Sequence, residues 1–170
     1  MAVNATMVSV EEYLNTSYSD GDREYVDGVV MERNLGEKDH SKIQHRIDFW
    51  FGQLAETQKV FVFPEIRVQV KSTRYRVPDV CIYLDHEPDE QVFQTPPFLV
   101  VEVLSKDDRA SDIQEKVDEY LVFGVPFVWV IDPRRKTAII HTPSGAANVN
   151  DGILRTANPT FELALAWLFR

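Results

Sequence analysis

Residues 98–104, FLVVEVL, place one acidic side chain inside an otherwise apolar run. Such an apolar and β-branched run is typical of a central strand that is covered on both faces. Because side chains alternate along a strand, Val100, Glu102 and Leu104 are expected on one face. An ionised carboxylate among apolar neighbours is costly, so Glu102 requires a proton, a cation or a metal. The segment therefore predicts a layered fold with a site on its central strand.

Other segments of the chain alternate between strand and helix patterns. Asp27-Gly28 supplies the positive φ angles of a tight turn and predicts an N-terminal β-hairpin within residues 23–33. Apolar periodicity predicts helices up to about Asn15 and over 37–57 and 111–123, and strands over 60–71, 75–84, 125–132, 136–141 and 161–163. This order predicts an α/β (α+β) fold, a mixed β-sheet flanked by helices, and a length of 170 residues predicts one domain, 1–170.

The helix after the central strand carries a candidate catalytic residue. Ser111 and Gln114 have the spacing of a capping box, which predicts the start of this helix. Lys116 lies at the border of the buried stripe, whereas Glu119 is expected to point to solvent. From that border the lysine can reach a cleft, where desolvation and a metal would lower its pKa.

Composition narrows the classes of function. A net charge of -9 argues against a general nucleic-acid coat protein, because phosphate binding depends on clustered basic residues. The single cysteine, Cys81, excludes an internal disulfide. No apolar run approaches a membrane span, so we expect a cytoplasmic protein without a membrane partner. Residues 134–136, Arg-Arg-Lys, are interpreted as a solvated turn or a contact to a phosphate backbone.

Asp79, like Glu102, is a carboxylate among apolar neighbours that requires a proton, a cation or a metal. It follows Pro78 within a core-forming strand pattern, and the proline predicts a bend that turns the carboxylate toward a cleft. Two acids on nearby strands can hold Mg²⁺, with a backbone carbonyl such as that of Val103 completing the shell. A water on such an ion becomes a nucleophile near neutral pH.

These patterns occur in the order of a known family. The matching stretches are REYVDGVVMER, a histidine-led helix, YRVPDVCIYL, FLVVEVLS and DIQEKVDEYLVFGVPFVWVIDP. Together they span nearly the whole chain, which resembles the Uma family of restriction endonuclease-like proteins within the PD-(D/E)XK nuclease superfamily. The general superfamily pattern has a lysine two residues after the second acid, where this chain has Leu104. The Uma family instead has a lysine on the following helix, which Lys116 matches.

The resemblance implies a restriction endonuclease-like fold and hydrolysis of DNA with Mg²⁺ or Mn²⁺. Asp79 and Glu102 would hold the metal and Lys116 would activate the attacking water. Glu24 and His40 are implied as supporting residues. The resemblance also implies a homodimer.

Other interpretations stay open at the level of the sequence. Three basic residues close to Asp79 are candidates for contacts to DNA: Lys71, Arg74 and Arg76. The acidic net charge favours a catalytically inactive binding or assembly module with a nuclease fold. Both acids could instead form structural ion pairs, Lys116 could simply reach water, and His40 and Glu24 could be core and strand residues.

Overall fold

The computed structural model describes residues 7–19, 21–34 and 36–170. Its helices are α1 (Val10–Asn15), α2 (Lys38–Ala55), α3 (Ala110–Phe123) and α4 (Leu165–Leu168). Its strands are β1 (Glu24–Val26), β2 (Val29–Met31), β3 (Val60–Pro64), β4 (Val68–Lys71), β5 (Arg74–Arg76), β6 (Val80–Leu84), β7 (Leu99–Val103), β8 (Phe127–Asp132), β9 (Thr137–Thr142), β10 (Gly145–Asn148), β11 (Ile153–Arg155) and β12 (Glu162–Ala164). In the described part of the chain, no helix is both long enough and apolar enough to cross a membrane.

The strands form two main sheets. The larger sheet has six strands in the order β10-β9-β8-β7-β6-β3, and the smaller has four in the order β2-β1-β5-β4. Strands β7 and β8 run parallel and are joined through α3, whereas the other pairs in the larger sheet are antiparallel. The predicted mixed sheet flanked by helices is confirmed.

The central strand β7 is buried on both faces, as its sequence predicted. Leu99, Val101 and Val103 pack with the apolar side of α2. Val100 packs on the opposite face with Val117 of α3. Fully burying each such side chain stabilises the fold by about 1.5–3 kcal/mol. Glu102 therefore lies on the α3 side of a strand that the core holds rigidly.

The N-terminal hairpin also forms where the sequence predicts it. Val26 pairs with Val29 across a two-residue turn. Asp27 and Gly28 have φ angles of 47° and 95°, which are the left-handed values that this turn requires. Strand β1 also pairs with β5, and Glu24 accepts from the Val77 N–H just after β5.

Two predicted strands are each divided between the sheets. The single strands expected over 60–71 and 75–84 are wrong, because β3 and β6 belong to the larger sheet while β4 and β5 belong to the smaller one. The second break falls at Pro78, which cannot donate a backbone hydrogen bond to a ladder. This break places Asp79 where the chain passes from one sheet to the other.

The start of α3 also differs from the prediction. The helix begins at Ala110, and the Arg109 carbonyl accepts the N–H of Ile113 at 3.1 Å. Ser111 is therefore already inside the helix and donates to the Asp112 carboxylate, so the capping-box prediction is wrong. The helix ends, as predicted, at Gly124, whose φ of 112° is left-handed.

Candidate active site

A polar cleft of about 350 Å³ opens where the two sheets and α3 meet. It is lined by charged side chains from five separate segments of the chain, among them Glu24, Arg33, His40, Asp79, Glu102 and Lys116. The structure thus brings together the three residues predicted as catalytic and the two predicted as supporting.

Asp79 is buried at 3% exposure and both of its carboxylate oxygens have partners. Oδ1 accepts from Nη2 of Arg33 at 2.8 Å, and Oδ2 accepts from the Val103 N–H at 2.7 Å. His40 Nε2 lies 3.2 Å from Oδ2. Burial alone would raise the pKa of Asp79, but His40, Arg33 and the Val103 N–H outweigh it and lower the pKa. Asp79 is therefore ionised at neutral pH.

Glu102 has fewer compensating partners. Its Oε1 accepts from the Tyr120 hydroxyl at 2.7 Å, and its Oε2 lies 3.7 Å from Lys116 Nζ. Burial, together with the carboxylates of Asp79 and Glu24, raises the pKa of Glu102 to about 7 against the lowering effect of Lys116. The positive charge near Glu102 is therefore too small to keep its carboxylate fully ionised at neutral pH.

Lys116 extends into the cleft, as predicted, and its side chain is 16% exposed. Its Nζ lies 2.8 Å from Glu24 Oε1. Burial would lower the pKa of Lys116, but the charges of Glu102 and Glu24 outweigh it and raise the pKa above its ordinary value. Three acids around one ammonium thus outweigh the lowering by desolvation that we expected from the sequence. Lys116 is protonated here and acts as a donor.

Glu24 is a central member of this network. Oε1 also accepts from the Val77 N–H at 3.2 Å, and Oε2 accepts from Arg76 Nη1 at 2.9 Å. Burial would raise the pKa of Glu24, but Lys116 and Arg76 outweigh it and lower the pKa. Glu24 thus fixes the position of the lysine ammonium beside Glu102.

The predicted DNA-contacting residues are mostly engaged within the protein. Arg76 is only 3% exposed, and its guanidinium lies between Glu24 and Glu119. Arg74 binds the carboxylates of Asp27 and Glu119. Neither arginine presents a free cation to a phosphate backbone, whereas Lys71 is exposed. Glu119, which was expected to face solvent, is only 4% exposed, because it pairs with both arginines.

The donors in the cleft fit a hard divalent cation. Within the described ranges, no group of three or more His, Cys, Asp and Glu side chains is arranged to hold a metal ion. Mg²⁺ does not need one, because one or two carboxylates with waters and phosphate oxygens suffice. Asp79 and Glu102 supply two buried carboxylates at one cavity that Val103 also lines, and Glu102 lacks full charge compensation.

Several residues of the site were not anticipated from the sequence. Arg33 contacts both Asp79 and Glu65, whose Oε1 is 3.3 Å from Nη1. Tyr120 reaches Glu102 from one helical turn beyond Lys116, and that i, i+4 spacing was the available signal. Arg33 is the last residue of the predicted hairpin segment 23–33, but no local sequence pattern relates it to Asp79.

Comparisons with known proteins identify the family and the fold. The sequence model of the Uma2 family, described as "Putative restriction endonuclease", matches residues 10–167. No curated protein shows significant similarity to the chain. A solved structure described as "a putative nuclease belonging to DUF820" from Anabaena variabilis is similar, with a TM-score of 0.81 and 19% identity over 95% of this chain and 97% of that one. At that identity the likeness establishes the shared fold. Since the family match covers nearly the whole chain, the protein belongs to the Uma2 family.

Proposed function

We propose that this protein is an endonuclease that hydrolyses DNA phosphodiester bonds with Mg²⁺ or Mn²⁺. The observation that carries the proposal is the convergence of Asp79, Glu102 and Lys116 on one cleft. Two buried carboxylates and a largely buried lysine from three separate segments are energetically costly to bring together. Family membership supplies the reaction class.

Asp79 and Glu102 would hold the metal, with the Val103 carbonyl as a further oxygen donor. When bound, such an ion polarises the phosphoryl group and lowers the pKa of a coordinated water. The rigid β7 strand holds Glu102 and Val103, and the Val103 N–H holds Asp79. The carboxylates are therefore positioned before substrate arrives, which limits reorganisation during the reaction.

Lys116 would orient the attacking water and stabilise negative charge on the phosphate. Its raised pKa keeps Nζ protonated and suited to both roles. Beside a dication held by Asp79 and Glu102, the pKa of Lys116 would be lower and closer to the value that a base requires. Glu24 would keep Nζ in place, since the two groups are 2.8 Å apart.

Arg33 and His40 would support Asp79. Both contact its carboxylate, and both line the cleft. Their nitrogen donors would also be able to bind phosphate oxygens of a substrate in the cleft. Lys71 remains the candidate for a distant backbone contact, and a homodimer would present two clefts to one duplex.

A plasmid-nicking assay tests the proposal. We expect the purified protein to cut supercoiled DNA with Mg²⁺ or Mn²⁺ and to lose cleavage in excess EDTA. Asp79→Asn and Glu102→Gln should each reduce cleavage by at least about 100-fold, the scale of losing an electrostatic catalytic group. Glu162→Gln is the matched control, because Glu162 is 58% exposed and pairs only with Arg155 among its described contacts. Equal activity in all three variants would refute the assignment.

A second candidate function is a binding or assembly module without catalysis. It is favoured by the ion pairs that Arg33 and Lys116 already make with the proposed metal ligands, and by the net charge of -9. Calorimetric titration with Mg²⁺ separates the two. A nuclease should bind the ion and lose this binding in Asp79→Asn, whereas an inactive module held by ion pairs should show no saturable heat.

A further inference from the structure

A second cavity, of about 530 Å³, lies beside the cleft on the same side of the larger sheet. The two cavities share Asp108 and Ile113 in their walls. The second one is formed between the first half of α3 and the surface of β8 and β9. Its volume is within the range of small-molecule sites, about 300–1,000 Å³.

Leu104 connects this cavity to the proposed catalytic centre. The Leu104 N–H donates to the Ile131 carbonyl at 2.8 Å, so the residue continues the β7–β8 ladder. It therefore stands two positions beyond Glu102 on the same face, about 7 Å along the strand. The general superfamily pattern has lysine at this position, whereas here an apolar side chain lines the second cavity.

The interior of the cavity is apolar and one edge is polar. Ile113, Val130 and Ile139 contribute to its walls. Gln114 and His141 contribute groups that donate and accept hydrogen bonds. Burial lowers the pKa of His141, so its imidazole is neutral at pH 7 and offers both a donor and an acceptor. Apolar walls with a few such groups suit a heterocyclic ring.

The lining of the cavity also includes two arginines and two aspartates. Arg134 and Arg135 belong to the only run of three basic residues in a chain whose net charge is -9, and the aspartates are Asp108 and Asp132. The two arginine side chains are 50% and 83% exposed, and their contacts to Asp132 are long, 3.7 and 3.9 Å. They are therefore available to a phosphate backbone.

We propose that this cavity receives a nucleobase of the DNA strand bound in the cleft, taken out of its stack. The proposal rests on the proposed nuclease function and specifies how that site holds its substrate. The base would lie against the apolar walls, Gln114 and His141 would contact its edge, and the two arginines would hold the adjoining phosphates. An apolar peptide or a lipid chain carries no phosphate for Arg134 and Arg135 to bind. It also does not account for the wall that the cavity shares with the cleft in which we propose that phosphate binds.

Fluorescence titration with single-stranded DNA tests the proposal. One oligonucleotide carries 2-aminopurine at every adenine, and a matched oligonucleotide carries abasic sites there. We expect wild-type protein, with and without Mg²⁺, to increase the 2-aminopurine signal and to bind the base-containing strand about tenfold more tightly, the scale of burying part of one base against apolar walls. Ile139→Trp and the milder Ile139→Phe fill the cavity and should remove this preference. Ala147→Trp is the control, since Ala147 is exposed and pairs with Ile140 on the opposite face of the sheet.

The outcomes separate the two proposals. If wild-type protein cuts plasmid DNA but binds both oligonucleotides equally, and the Ile139 variants match it, the base pocket is refuted and the nuclease function stands. If wild-type protein neither binds nor cuts DNA, both proposals fail. If the apolar dye ANS binds the wild type but not Ile139→Phe, and the base-containing strand does not displace it, the cavity serves an apolar ligand and the base pocket is refuted.

Discussion

Replacing Arg76 with methionine removes the cation that lies between two buried carboxylates. The Arg76 side chain is 4% exposed, and those of Glu24 and Glu119 are 5% and 4% exposed. Nε is 2.6 Å from Glu119 and Nη1 is 2.9 Å from Glu24. Methionine fills much of the same volume, so the change tests charge more than packing.

The expected loss of stability in Arg76→Met depends on the contacts that Glu24 and Glu119 keep. Removing one partner of a buried ion pair costs about 3–5 kcal/mol. Lys116 still contacts Glu24 and Arg74 still contacts Glu119, so we expect the lower limit, about 3 kcal/mol. For a chain of this length that corresponds to a fall in Tm of about 6–12 °C.

Urea unfolding followed by circular dichroism measures this loss. Arg155→Met is the matched control, because Arg155 pairs with Asp151 and Glu162 at the surface, where each side chain is 44–58% exposed. That variant should be close to wild type in stability, because solvent-exposed ion pairs contribute little. A difference between the two variants of less than about 0.5 kcal/mol would refute the account of the buried network.

Three further predictions concern single groups around the cleft. Arg33→Gln removes the cation that competes for Asp79, so Mg²⁺ should bind severalfold more tightly by calorimetry; unchanged or weaker binding would contradict the proposed competition. Burial raises the pKa of Asp48 from 3.8 to about 7, so its contribution to stability is present below pH 4 and lost as the pH rises to 7. Asp48 is partly exposed, so water screens its charge, and Asp48→Asn should be about 1 kcal/mol more stable than wild type at pH 8 and no more stable at pH 4, by urea unfolding at both pH values. Tyr120→Phe leaves Glu102 without its hydroxyl donor and should cost about 1–3 kcal/mol in the same assay; a neutral result would mean that water replaces the hydroxyl.

Local patterns predicted the elements whose structure depends on near neighbours in the chain. The alternation in residues 98–104 identified a doubly buried strand and placed Glu102 on one face. Asp27-Gly28 identified the hairpin, and helical periodicity identified α2 and α3. These features follow from backbone geometry and from the period of apolar residues.

The predictions that were wrong concern contacts between residues far apart in the chain and the exact start of a helix. Residues 60–71 and 75–84 have continuous strand patterns, and only the pairing partners divide them between two sheets. Glu119 has the helical position of a solvated residue, yet two arginines from β5 bury it. Ser111 has a capping pattern, but the preceding residues had already entered the helix.

The sequence by itself determined that Glu102 needs a partner, because a carboxylate inside an apolar strand cannot stay charged alone. It also placed Lys116 within reach of a cleft. Only the tertiary structure decided which charges meet there: Arg33 and His40 at Asp79, and Glu24 beside Lys116. These contacts reverse the expected direction of the lysine pKa. The physical reason is that a pKa depends on the sum of nearby charges in space, and residues far apart in the chain supply most of that sum.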